Sequence, residues 1–165
     1  LQALHPLGWR LDEPTIRAGL AKARWNGRLQ TVTWQGHPLL LDGAHNPPAA
    51  QQLALERQCW RGQGNGVVWI LGIQAHKQAV EMLQLLLQPQ DLAWIVPVAD
   101  HRSWTRDALV QAEPHWGDQL RNASSAEDAL RRIRETCGWP QPMPVLAGSL
   151  YLIGDLLEQG LVQAE

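Results

Sequence analysis

Asp42, His45 and Asn46 stand within five residues of one another in the stretch LLLDGAHNPPAA (39–50), after three leucines and before two prolines. The leucines predict a strand that buries its side chains, and the polar residues predict a loop turned outward at its end. Asn46 is suited to cap a helix. Pro47 and Pro48 fit that helix's first turn, where a missing N–H removes no helical bond. The loop then faces free amides and the positive end of the helix, a setting that favours an anion. Gly43 allows a backbone angle, or an approach closer than a side chain permits. Asp42 offers two acceptor oxygens suited to sugar hydroxyls, and His45 can donate to a phosphate or carboxylate. The same residues also describe an ordinary strand-to-helix turn with Asp and Asn as caps. Residue chemistry alone leaves both readings open.

The elements that must hold such a loop are legible from periodicity. A helix is expected over 14–24, from a stripe of Leu11, Ile16, Leu20 and Ala21. Two extended runs, 29–34 and 37–42, flank Gln35-Gly36, a hairpin turn. A helix should follow from Pro47 to about Arg61. Strands are expected at 67–72, 92–98 and 143–148, with a helix over 77–88 between the first two. Ser103 is expected to cap a helix through Ala112, and Ser125 another through Thr136, with Glu127 one turn before Arg131. Leu150 to Gln159 forms the last helix. Buried strands alternating with helices predict an α/β layer fold with a mostly parallel sheet. The folded body is placed at residues 25–165, with 1–24 as a linker or the edge of a neighbour.

In an open parallel sheet, ligands bind beyond the carboxyl ends of the strands. The loops to inspect are therefore 42–47, 72–77, 99–103 and 147–149. Ser149 can cap the helix that begins at Leu150, and a helix start also receives carboxylates.

Composition narrows the function classes. At 165 residues, 45% hydrophobic and 18% charged, the chain is expected to fold around one core. A net charge of -2 without basic clusters argues against nucleic acid or a membrane surface as partner. No apolar run approaches the roughly 18 residues of a membrane span, and no signal peptide opens the chain. The chain begins at Leu1 rather than Met, as a fragment of something longer would. Cys59 and Cys137 form no CxxC pair, which reads as reduced thiols in the cytoplasm. GQGNG (62–66) precedes a strand instead of following one and reads as a turn. His101 and His115 lack partners at metal spacing and read as surface residues, so no metal site is expected here. Most of the nine tryptophans are expected in the core or on strand faces, with Trp25 near a domain hinge. Lys22 and Lys77 are the only lysines, and no G-x-x-x-x-G-K-[ST] occurs, so the motor for ATP cleavage is missing.

WNGRL (25–29), LDGAHNP (41–47), LGI followed four residues later by Lys77, and GSLYLIG (148–154) occur in this order. Over residues 25 to about 160 the chain resembles the C-terminal domain of the folylpolyglutamate synthase/dihydrofolate synthase family, a branch of the Mur ligase superfamily. The helix at 14–24 resembles the last segment of that family's central domain. The resemblance implies a Rossmann-like three-layer domain of the Mur ligase C-terminal type, in a cytoplasmic monomer. It implies an ATP- and magnesium-dependent ligase in which ATP phosphorylates the carboxylate of dihydropteroate or folate. L-glutamate's amino group then displaces phosphate from the acyl phosphate. It places Arg28 and Asp42 on ATP, and His45, as the catalytic residue, and Ser149 near the incoming glutamate; Asn46 and Lys77 carry less weight. The phosphate-binding loop and the magnesium ligands belong to the central ATPase domain, so this chain alone is expected to lack turnover.

Three positions depart from the family pattern. Asn26 stands where proline is usual, Pro48 where His or Asp is common, and His76 where an Asp usually precedes the lysine, which questions any acidic role there. Two rivals remain at this stage. One is a Mur-type ligase that joins another amino acid, whose loop normally departs from DGAHNP. The other is a non-catalytic binding module left after loss of an ATPase half.

Overall fold

The computed structural model describes residues 8, 12–22, 25, 27–60 and 66–164. The chain runs α1 (Glu13–Lys22), β1 (Gln30–Trp34), β2 (His37–Asp42), α2 (Pro47–Glu56), β3 (Val68–Leu71), α3 (Ala79–Leu86), β4 (Leu92–Ile95), α4 (Arg106–Ala112), β5 (Leu120–Asn122), α5 (Ala126–Cys137), β6 (Val145–Ala147), α6 (Leu150–Glu158) and β7 (Gln163–Ala164). Among the described residues the strands form one seven-stranded sheet, ordered β5-β4-β3-β6-β2-β1-β7. The run from β5 to β2 is parallel throughout. At the other edge β1 alone runs against the rest, pairing antiparallel with β2 on one side and with β7 on the other.

The hairpin forms where Gln35-Gly36 predicts it. Both residues take positive φ, 48° and 81°, the backbone that matches the twist of the flanking strands. Alternate residues of the central strands then feed two cores. Leu40, Trp69, Leu71, Ala93, Ile95 and Val145 pack with α2, α3 and α4. Leu39, Leu41, Ile70, Trp94 and Leu146 pack with α5 and α6 on the other face. This double burial is why the strands read as continuous apolar runs, and it gives the three layers expected.

Several boundaries differ from expectation. α2 stops at Glu56 and tightens into a 3-10 turn, Arg57–Cys59, in which Arg57 swings inward to Asp91. Thr105, not Ser103, caps α4, accepting the Ala108 N–H at 3.2 Å. Ser103 Oγ instead accepts the Val98 N–H and donates to the His101 carbonyl, closing the 99–103 loop on itself. β5 and β7 were not anticipated, being three and two residues long. The stripe on α1 is not buried at Leu20, which is 68% exposed. Leu11, and all of GQGNG but Gly66, lie outside the described residues. Of the tryptophans, Trp34, Trp69, Trp94 and Trp116 are buried, whereas Trp25 is exposed; Trp9 lies outside the described residues.

Ser125 caps α5 as expected, but Arg131 turns to Asp128 at 2.6 Å rather than to Glu127. Asp128 also accepts from Arg132 and from the Ser124 N–H and hydroxyl. The Ser124 N–H first, and Arg132 after it, hold its carboxyl far below the usual carboxylate range. An unfolded Asp titrates near 4, so this stabilisation is complete above that pH and is lost as pH falls towards the folded-state value. Asp128→Asn is therefore expected to lower the melting temperature at pH 7 by a few degrees, with the gap narrowing below about pH 4. Thermal denaturation of both proteins across that range checks it; a gap unchanged down to pH 2 contradicts the assignment.

Candidate functional site

The sheet brings its loops to one edge. Asp42 ends β2 level with Ala147 of β6, Ala147 is level with Leu71 of β3, and Leu71 with Ile95 of β4. Because these strands are parallel, the loops that follow all leave from the same rim.

Asp42 does not face solvent as the sequence suggested; it is 6% exposed. Its Oδ1 accepts the Ala44 N–H at 2.9 Å and its Oδ2 the Leu29 N–H at 3.0 Å. Alongside, the Gly43 N–H donates to the Gly27 carbonyl at 2.6 Å. The carboxylate thus fastens the turn 27–29 to the loop 42–46 across thirteen residues of chain. Arg28 projects from that fastened turn. Its N–H donates to the Trp25 carbonyl, and its exposed guanidinium has no bonding partner among the described residues. Gly43 is required by approach rather than by angle: a Cβ there would strike Leu150, the first residue of α6. Gly148 has φ of 106°, and a Cβ on it would lie 2.6 Å from the Gly72 carbonyl oxygen, so β3 and β6 leave the sheet in close contact.

Asn46 caps α2 by accepting the Ala49 N–H at 2.9 Å, with Pro47 and Pro48 in the first turn, as the sequence predicts. His45 places Nδ1 2.7 Å from the Gly43 carbonyl oxygen. A carbonyl can only accept, so Nδ1 carries the proton, and in the neutral ring Nε2 is left as an acceptor. Ser149 is 4% exposed and caps α6, its Oγ accepting the Tyr151 N–H at 3.2 Å.

His45, Lys77 and Ser149 line one cleft of about 120 Å³, together with Gln74 and Tyr151. Lys77 is held by its backbone. Its N–H donates to the Gln74 carbonyl, and its own carbonyl accepts the Trp104 indole N–H at 3.0 Å. Arg28 and Asp42 do not line this cleft; they occupy the adjoining stretch of rim. Gln74 was not singled out from the sequence, although its loop was, and nothing distinguishes it from other loop glutamines. His76 is exposed and sits beside a second, open cleft next to the first. His101 and His115 are exposed, as expected.

A cleft this small, with one cation, one imidazole and a helix start, suits an amino acid's carboxylates and amine. Residues 26–159 match the family described as dihydrofolate synthetase, C-terminal domain. The chain belongs to that family. Folylpolyglutamate synthase of Lacticaseibacillus casei is 31% identical over 145 residues, which cover 87% of this chain and 32% of that enzyme. Two solved structures align along nearly the whole chain. The bifunctional folylpolyglutamate synthase/dihydrofolate synthase of Yersinia pestis, complexed with AMPPNP and Mn ion, gives a TM-score of 0.70 at 26% identity, covering 94% of this chain and 36% of its own. Escherichia coli FolC, in complex with DHPP and ADP, gives 0.71 at 25% identity, covering 96% and 36%. The three-layer α/β fold is thus that of the family's C-terminal domains. The chain spans about a third of the length of the curated relatives it matches.

Proposed function

We propose that this chain is the C-terminal domain of an ATP-dependent ligase that adds L-glutamate to dihydropteroate or folate through an acyl phosphate. The observation that carries the reading is the convergence of His45, Lys77 and Ser149 on one small cleft, on the same rim as Arg28 and Asp42. Family membership supports the reading, since the relatives named above are folate ligases. Residues 1–24 are assigned to the end of a central ATPase domain, and 25–165 to the glutamate-ligase domain.

In this reading Arg28 meets the triphosphate. Guanidinium suits that task because its planar fork stays charged and binds two oxygens at once. Asp42 sets where Arg28 stands, whatever it also offers the nucleotide, because it anchors the turn that carries Arg28. Glutamate lies in the cleft with a carboxylate on Lys77 and the start of α6. The His45 ring, its Nδ1 committed to Gly43, turns Nε2 toward the ammonium group. When that amine passes a proton to His45 Nε2 it attacks the acyl carbon, a C–N bond forms, the C–O bond to phosphate breaks, and inorganic phosphate leaves. Holding amine and acyl phosphate together is the main catalytic task of such a domain. Trp25, Leu29, Leu150 and Tyr151, all exposed, give this rim an apolar border suited to closing on a neighbouring domain. Among the described residues no three His, Cys, Asp or Glu side chains are grouped to hold a metal. Magnesium, which would screen the phosphates, is assigned together with the phosphate-binding loop to the central ATPase domain.

The test is steady-state kinetics of the ligase that carries this domain. Arg28→Ala is expected to raise KM for ATP about tenfold to a hundredfold, the usual range for losing a charge-assisted contact, with KM for glutamate little changed. His45→Ala and Ser149→Ala are expected to raise mainly KM for glutamate. The isolated 165-residue chain is expected to give no turnover. Identical kinetics in all these variants, or clear ligation by the chain alone, would defeat the reading.

A further inference from the structure

The polar side chains buried among the described residues are Asp42, Arg57, Gln74, Asp91, Asp128 and Ser149. All but one bond to the protein. Asp42, Asp91 and Asp128 accept from amides or guanidinium groups, Arg57 donates to Asp91, and Ser149 caps α6. Gln74 is the exception. It is 8% exposed, and its side-chain amide meets no donor or acceptor among the described residues. A buried amide without partners is costly, so its presence calls for a reason. The Trp94 Nε1 is also unpaired, but it is sealed from solvent, whereas the Gln74 amide still reaches it. The openings within its reach are the small cleft and the open cleft beside it, both of which Gln74 lines.

The backbone around this side chain is clamped. The Lys77 N–H donates to the Gln74 carbonyl at 2.9 Å, and the Ala75 N–H to the Arg102 carbonyl at 2.7 Å. The Trp104 N–H donates to the Ile73 carbonyl at 2.9 Å, which pairs Gln74 with Ser103. The place is also where the sheet divides. β3 and β6 are parallel neighbours, yet the chain leaving β3 enters α3 on one face and the chain leaving β6 enters α6 on the other. Such a switch point opens a crevice at the carboxyl ends of the two strands, the usual ligand position in an open α/β sheet. Gln74 follows β3 into that crevice, which it shares with Gly148 and Ser149.

We propose that Gln74 is a specificity-determining residue of the small cleft, its side-chain amide donating to the side-chain carboxylate of the incoming amino acid. The inference rests on the reading of that cleft as the place of the incoming glutamate. His45 lines the small cleft and not the open one. The amine lies with His45, so the far end of the amino acid points toward the border that Gln74 occupies. There Nε2 offers two hydrogens to a carboxylate, and Oε1 is left for the Lys77 ammonium or for water. No protein partner fixes which end of the amide faces the cleft, so the ligand selects it. A side chain ending in a methyl group, as in L-norvaline, leaves the buried amide unpaired and is rejected for that reason. L-Aspartate, one methylene shorter, falls short of it when its amine is in place.

The test is steady-state kinetics of the ligase carrying this domain, with L-glutamate, L-norvaline and L-glutamine as amino-acid substrates. Gln74→Leu is expected to raise KM for glutamate about tenfold, with kcat and KM for ATP little changed. The preference for glutamate over norvaline should fall by a similar factor. Because the amide has no partner in the protein, the melting temperature of Gln74→Leu should hold or rise slightly. Gln74→Glu is expected to turn the preference, since the introduced carboxylate repels that of glutamate and accepts from a carboxamide. In that variant kcat/KM for glutamine relative to glutamate should rise about tenfold or more. An unchanged KM for glutamate in Gln74→Leu, or an unchanged glutamine-to-glutamate ratio in Gln74→Glu, overturns the proposal. So does a clear drop in the melting temperature of Gln74→Leu, which would mark the amide as part of the fold. If the parent ligase itself ignored glutamate, the reading of the cleft would fall and this inference with it. Glutamate-dependent turnover with indifferent Gln74 variants would sink the inference alone.

Discussion

Replacing Asp91 with alanine is expected to destabilise the chain by about 3–5 kcal/mol, the usual consequence of breaking a buried ion pair from one side. Asp91 is 4% exposed and Arg57 3%. The guanidinium grips the carboxylate with both terminal nitrogens, at 2.5 and 2.6 Å. The same carboxylate accepts the Val67 N–H, the Gln88 N–H and the Trp69 indole N–H. Alanine would remove the charge that neutralises Arg57 and take an acceptor from three further donors at once. Chemical denaturation gives the number, and a loss under about 1 kcal/mol would contradict this account of the amino-terminal ends of β3 and β4. A pair replacement, Arg57→Met with Asp91→Leu, should cost much less than Asp91→Ala, because no charge is then left in the core.

The second large effect is expected at Asp42. Asp42→Ala leaves the Leu29 and Ala44 amides without their acceptor, in a site closed to water on the Ala44 side. At about 1–3 kcal/mol for the buried Ala44 donor and about 1 kcal/mol for the partly buried Leu29 donor, a loss of about 2–4 kcal/mol is expected. The consequence for function exceeds the loss of stability. Once the turn 27–29 is unfastened, Arg28 no longer has a fixed place from which to meet a triphosphate. In the ligase, kcat/KM for ATP is therefore expected to fall at least as far with Asp42→Ala as with Arg28→Ala, under conditions where both proteins remain folded. The double variant should be little worse than either single one, since both changes disable the same unit. Full additivity of the two would show that Asp42 and Arg28 act separately.

Local signals carried well into the structure. Gln35-Gly36 names its own turn, Asn46-Pro47-Pro48 names its own helix start, and Ser125 and Ser149 cap the helices they precede. Each of these depends on neighbours within a few residues. The misses depend on partners far along the chain or on very short elements. Ser103 was the nearer capping candidate by type, but the Gln74–Ser103 bridge and the Val98 N–H claim it for the loop, leaving the cap to Thr105. β5 has one buried residue followed by two exposed ones, too little for any period to show. The burial of Asp42 escaped for the same reason as the Arg57–Asp91 pair. A carboxylate in a polar loop looks like a ligand until its amide partner thirteen residues earlier is known. The cleft fell between these extremes: three of its loops were marked by strand order alone, and only folding showed that Lys77 joins His45 and Ser149.

The most direct measurement is a crystal structure of the ligase carrying this domain, grown with L-glutamate and a non-hydrolysable ATP analogue. Density for glutamate is predicted between His45, Lys77 and Ser149, with a phosphate oxygen within hydrogen-bond reach of Arg28. Glutamate bound elsewhere, while that cleft holds only solvent, would contradict the assignment of this rim.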